Sequence, residues 1–138
     1  MPSLELTPLV LNLDWQETET KIKQFIKDYV EKSGAKGIVL GLSGGIDSCT
    51  VAVLSTLALG RNKVLGLMLP EREIYNTEDV KHAELVAEKF GFKKEIIDIT
   101  PSLEALYNSI PIFDLSDSVS RGNVKARTRM IYIYYYAN

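Results

Sequence analysis

At 138 residues, 46% of them hydrophobic and 25% charged, the chain has the size and apolar content of one folded domain, read as residues 1–138. A net charge of −2 and a pI near 5.5 argue against a nucleic-acid partner, and no apolar run reaches the roughly 20 residues of a membrane span. The single cysteine, Cys49, excludes an internal disulfide and a cysteine-rich metal site, and Met1 to Val10 lacks the basic start and apolar run of a leader, so a cytoplasmic protein is expected.

From Asp14 to about Lys32, Trp15, Ile22, Phe25, Ile26, Tyr29 and Val30 recur at helical spacing, and Ser33-Gly34 closes the segment, which predicts an amphipathic helix. Gly37 to Leu42 is a short apolar run and predicts a buried strand. Asp47 to Leu59 predicts an apolar helix that Gly60 stops. A second strand is expected over Val64 to Leu69, ending at Pro70. Past a polar loop, Thr77 to Phe90 predicts a helix capped by Asn76 or Thr77 and stopped by Gly91. A third strand is expected over Glu95 to Ile99, ending at Thr100-Pro101. The tail is ambiguous by periodicity. Ile131-Tyr132-Ile133-Tyr134 alternates like a strand, while Val124, Arg127, Ile131 and Tyr135 share one helical face.

Short buried strands alternating with helices imply βαβ units and a doubly wound α/β fold, a parallel sheet with helices on both faces. Such sheets bind ligands in the loops after their strands, here beginning near Leu42, Leu69 and Ile99. The first of these loops reads Ser43-Gly44-Gly45-Ile46-Asp47-Ser48. Adjacent glycines let the backbone approach a ligand closely, and the N–H groups of the turn and helix start form a partly positive nest suited to phosphate. The Ser43 and Ser48 hydroxyls add neutral donors. Asp47 would repel a polyphosphate unless it holds Mg²⁺, which one or two carboxylates bind together with substrate phosphates. The bland alternative is a glycine turn in which Asp47 and Ser48 cap the helix. No Gly-Lys-Ser/Thr follows, so this is not a Walker loop.

The segment resembles the SGGxDS loop of the N-type ATP pyrophosphatases, which split ATP between its α and β phosphates. A second segment, Gly122-Asn123-Val124-Lys125-Ala126-Arg127-Thr128-Arg129-Met130, resembles the GNxKARxRM motif of the NAD synthetases. Leu69-Pro70, Asn76-Thr77-Glu78-Asp79, Ile97-Asp98-Ile99 and Ala137-Asn138 extend the likeness over nearly all of the chain from about residue 20 onward. The resemblance implies an adenine-nucleotide α-hydrolase-like fold truncated at its C-terminal side, and it makes the tail a helix. It implies ATP phosphates along Gly41, Leu42, Ser43, Gly44, Gly45, Ile46, Asp47 and Ser48, Mg²⁺ at Asp47, and deamido-NAD at Arg127. It also implies ammonia as nitrogen source and a homodimer through the C-terminal helix, with no nucleic acid and no membrane as partners. No catalytic side chain is assigned.

The bland readings stand beside these. Arg121, Lys125, Arg127 and Arg129 would otherwise form a solvated basic helix face. Arg72 would either approach adenosine or sit on a surface loop. His82 lies within a helix away from every strand end and is rejected as a general base. Cys49 follows the loop but has apolar neighbours, so a buried small residue is expected rather than a nucleophile. Trp15 and the terminal tyrosines are expected to pack or form an interface. A tRNA thiolase, which would use Cys49 and bind RNA, and a non-catalytic nucleotide-binding module are the competing functions. NAD synthetases continue past the alanine-asparagine pair into a GTxNxSE-like loop and a GYxTKYGDG-like segment. Neither occurs in the 138 residues, so weak ATP binding without turnover is expected of this chain alone.

Overall fold

The computed structural model describes residues 12–72 and 77–138, so the Met1–Val10 stretch and the expected cap Asn76 lie outside the described residues. Helix α1, Trp15–Ser33, begins where Asp14 caps it, its carboxylate accepting from the backbone N–H groups of Gln16 and Glu17, each at 3.0 Å. It ends at Gly34, whose φ of 69° is left-handed. Three strands follow in parallel: β1 (Ile38–Gly41), β2 (Val64–Met68) and β3 (Lys93–Ile96), in the order β1-β2-β3. The register sets Ile38 opposite Val64 and Leu65 opposite Lys93.

The central strand β2 shows how the sheet takes helices on both faces. Val64 and Met68 point into a cluster with Leu42, Cys49, Ala52, Ala83, Ala87 and Phe92, roofed by α2 (Ile46–Leu59) and α3 (Thr77–Phe90). Leu65, Leu67 and Leu69 point the other way, among Ile99, Leu103, Val124, Tyr132 and Ile133, under α4 (Thr100–Ser109) and α5 (Ser118–Ala137). Side chains of a strand alternate in direction, so a strand covered on both sides must be apolar throughout, as this one is. Both α2 and α3 are crossovers between neighbouring parallel strands. After β3 the chain returns across the opposite face, and α5 comes to rest against β1.

Two expectations change, and the tail is the helix that the resemblance implies. The third strand begins at Lys93 and ends at Ile96, not at Glu95 and Ile99. Its lysines mark a sheet edge, where charged side chains are tolerated and discourage further pairing. Beyond Ile96 the Ile97 and Ile99 N–H groups still donate to the Met68 and Pro70 carbonyls, at 2.9 and 3.0 Å, outside regular strand geometry. Helix α4 was not expected at all. Its proline, Pro101, sits in the first turn, where a missing N–H costs nothing, whereas from sequence it reads as the end of a strand. The C-terminal segment is helical throughout Ser118–Ala137, with Asp117 as its cap.

The apolar face of α1 is only partly used. Val30 is buried, while Trp15, Phe25 and Tyr29 are exposed, so Trp15 does not pack into the described core.

Candidate functional site at the carboxyl end of the sheet

The loop between β1 and α2 is built by its own small polar groups. Leu42 stays tied to the sheet through its N–H, which donates to the Leu67 carbonyl at 2.8 Å. The Ser48 hydroxyl accepts from the Ser43 N–H at 3.2 Å and lies 3.0 Å from the Ser43 hydroxyl. It also lies 3.1 Å from the Gly45 carbonyl, to which it donates. The Ser43 hydroxyl accepts from the Gly45 N–H at 3.3 Å. Both hydroxyls thus brace the loop itself, and its outward donors are chiefly backbone N–H groups. Gly44 has φ 86°, and a Cβ there would collide with the Asp79 carbonyl of α3. Only glycine serves at this close approach.

Gly45 caps α2 through its backbone, with no side-chain hydrogen bond. Asp47 stands in the first turn, exposed, and its carboxylate caps nothing. The capping reading of Asp47 therefore fails on geometry. An acid in the first turn still gains from the helix dipole.

Beside the loop lies a cavity of about 490 Å³, walled by Gly41, Leu42 and Ser43, by Met68 to Pro70, by Asp79 and Val80 of α3, and by Arg129 and Ile133 of α5. Gly41 admits α5 to this wall, since a Cβ on it would stand 3.1 Å from the Ile133 Cδ1. Arg129 is held in place. Its Nε donates to the Leu69 carbonyl at 3.0 Å, and its Nη2 lies 3.5 Å from the Glu71 carboxylate. Glu71 is buried and also pairs with Lys125 at 2.8 Å.

Sequence reasoning grouped four basic residues of the tail as one face, and the structure divides them. Lys125 and Arg129 turn inward to Glu71, whereas Arg127 is exposed on the far side of α5, on the stripe of Met130, Ile131 and Tyr134. Positions 127 and 129 are about 200° apart around a helix, so the two arginines cannot face one cavity. Arg129 was missed because periodicity does not say which helix face meets the sheet. Arg72 does not line the cavity beside the loop. It pairs with Asp98 at 3.7 Å and lines a separate cavity of about 310 Å³ with Leu103 and Tyr107. Hydrogen bonds from Thr100, with Arg72 contributing less, hold the Asp98 carboxyl below its usual range. His82 is exposed on α3, and Cys49 is buried in the core as a free thiol. No group of three or more metal-ligating side chains occurs among the described residues, and no described helix is long and apolar enough to cross a membrane.

Residues 18–138 match the NAD synthase family. The chain belongs to that family. It is 47% identical over 125 residues to the NH₃-dependent NAD⁺ synthetase of Methanocaldococcus jannaschii, covering 89% of this chain and 48% of that protein. Against the same enzyme of Hyperthermus butylicus the identity is 43%, over 94% of this chain and 46% of the relative. The chain thus spans about half the length of the curated relatives it matches. Among solved structures, the NH₃-dependent NAD synthetase of Campylobacter jejuni superposes with a TM-score of 0.81 at 37% identity, over 90% of this chain and 52% of that one. An NMN synthetase of Francisella tularensis superposes equally well, TM-score 0.81 at 32% identity, over 96% and 51%. The glutamine-dependent NAD⁺ synthetase of Acinetobacter baumannii, solved with ADP, gives 0.85 at 28% identity, over all of this chain and 25% of that one. The adenine-nucleotide α-hydrolase-like fold expected from the two motifs is therefore the fold this family member has.

Proposed function

We propose that this chain, acting as a single nucleotide-binding domain over residues 1–138, carries the ATP site of an ammonia-dependent NAD synthetase. The observation that carries the reading is the loop at the end of β1. It is braced by Ser43 and Ser48, opened by Gly44 against α3, and followed at once by a helix N-terminus. Along Gly41 to Ser48 the backbone N–H groups other than those of Leu42, Ser43 and Gly45, which already donate within the protein, would receive the ATP phosphates. Asp47, exposed and engaged by no cap, is one hard oxygen donor. That fits Mg²⁺ shared with the phosphates, since this ion takes few protein ligands. Such an ion supplies neutralisation of phosphate charge.

In the reaction the nicotinate carboxylate of deamido-NAD attacks the α-phosphorus of ATP, and pyrophosphate leaves. Ammonia then displaces AMP from the acyl adenylate, giving the amide. The chain's contribution is positioning and charge, through the loop N–H groups and Arg127. Because Arg127 shares its exposed stripe with Met130, Ile131 and Tyr134, its substrate lies over the outer face of α5. The same stripe would form a homodimer interface, because a contiguous exposed apolar patch usually marks one. The site works on soluble metabolites, and a cytoplasmic setting suits it.

The tRNA-thiolase reading needs an accessible sulfur, and Cys49 is only 7% exposed, inside the α2–β2–α3 cluster. The equal likeness to an NMN synthetase leaves the size of the acid substrate to experiment. Incubating the protein with ATP, Mg²⁺, ammonia and either deamido-NAD or its mononucleotide, and measuring AMP and amide product, tests the proposal. The 138-residue chain alone is expected to bind ATP weakly and turn over negligibly. Its complex with the remaining half of the family domain should make NAD. RNA thiolation, or product formation from the mononucleotide alone, would refute the assignment.

A further inference from the structure

We infer that Arg129 grips a phosphate group of the nucleotide held by the Gly41–Ser48 loop, supplying the fixed positive charge that the loop itself lacks. The inference rests on the proposed phosphate site and goes beyond it.

No lysine or arginine stands between Gly41 and Thr50, and the two serine hydroxyls are engaged within the loop. The loop alone offers backbone dipoles but no formal charge to set against a polyphosphate. Helix α5 crosses back over the sheet and brings Arg129 to the wall of the same cavity, the one cationic side chain on it among the described residues.

The way Arg129 is held decides what it can still do. A guanidinium carries five N–H donors in a plane. The edge formed by Nε and Nη2 faces protein acceptors, the Leu69 carbonyl at 3.0 Å and the Glu71 carboxylate at 3.5 Å. The end formed by Nη1 and Nη2 is a second fork, suited to two oxygens of one phosphate. With one edge fixed, the other fork is pre-aimed, so less conformational freedom is lost when a ligand arrives.

Exposure points the same way. Glu71 is shared between Lys125 at 2.8 Å and Arg129 at 3.5 Å. Of these two cations Arg129 is the one a ligand can reach, its side chain 36% exposed against 11% for Lys125. Arg127, on the opposite face of α5, cannot take this role.

The test is an NMR titration of the Ser43–Ser48 amides with ATP and, separately, with adenosine, for the wild-type chain and for Arg129→Lys and Arg129→Gln. Arg129→Lys keeps a charge beside Glu71 and so guards against loss of fold, which thermal melting of each variant without ligand checks. The expected result is a ten- to hundredfold loss of ATP affinity in both variants, roughly the weight of one or two charge-assisted hydrogen bonds, with adenosine binding unchanged. The ATP loss should shrink as salt is raised. Equal losses for ATP and adenosine would show that Arg129 only supports the wall, and would overturn the inference. So would an undiminished preference for ATP in the variants, with the phosphate site itself left standing. A wild-type chain that binds ATP no better than adenosine would instead remove the phosphate site, and this inference with it.

Discussion

Replacing Glu71 by glutamine is the most informative perturbation of the fold around the cavity. Glu71 and Lys125 lie 2.8 Å apart with side chains only 6% and 11% exposed, and Arg129 draws on the same carboxylate. The gross attraction of such a pair is several kcal/mol at an effective dielectric of about 20, and the cost of burying two ions offsets much of it. Its net worth is therefore small, but removing one partner is not. Glu71→Gln deprives two cations of their shared carboxylate and should cost ~3–5 kcal/mol. Lys125→Met leaves Glu71 with Arg129 and should cost less, ~1–3 kcal/mol. The double variant should be less destabilised than the sum, with a coupling above ~1 kcal/mol. Against a typical total of ~5–15 kcal/mol, the loss in Glu71→Gln is large, equivalent to roughly 10 °C in melting temperature. Urea denaturation of the four proteins measures all three quantities. A cost below ~1 kcal/mol for Glu71→Gln, with no coupling, would show that water reaches the pair and that α5 is not fastened through it to the segment following β2.

Asp47→Asn should remove most of the Mg²⁺ dependence of ATP binding while changing stability by less than ~1 kcal/mol, because Asp47 caps nothing and contributes only through the helix dipole. An unchanged Mg²⁺ response in calorimetry would take Asp47 out of the metal site. Ile131→Asp, on the exposed stripe of α5, should convert a dimer into a monomer in sedimentation at micromolar concentration. A wild-type monomer at that concentration would refute the interface. Asp117 caps α5, and hydrogen bonds from Ser120, through its hydroxyl at 2.6 Å and its N–H at 3.0 Å, hold the carboxyl below 3.8. A depressed folded-state value means the cap's contribution is full above about pH 3.8 and is lost as pH falls through the lower folded value. Side-chain NMR titration of Asp117 should therefore give a midpoint below 3.8, and Asp117→Ala should fray the start of α5 at neutral pH. A midpoint at or above 3.8 would mean the cap is not formed.

Local physics wrote much of this protein into its sequence. The loop is legible from Ser43 to Ser48 because glycine's backbone freedom and a following apolar helix are properties of adjacent residues. Helices α1, α2 and α3, and the fully apolar β2, follow from periodicities of a few residues, and their bounds agree with the structure to within one residue. What local pattern could not supply is the direction in which each element faces. Lys93 and Lys94 read as loop because their place at a sheet edge depends on β2, some 28 residues earlier in register. Pro101 begins a helix or ends a strand according to what surrounds it. Read from sequence, Arg127 and Arg129 fall in one basic group, although two helical steps set them about 200° apart, and periodicity cannot say which face of α5 meets the sheet. That choice depends on Leu69 and Glu71, sixty and fifty-eight residues away, whose carbonyl and buried carboxylate draw Arg129 inward. Pairing at that distance is a consequence of packing two layers on one sheet, and only the tertiary structure decides which arginine stands beside the loop.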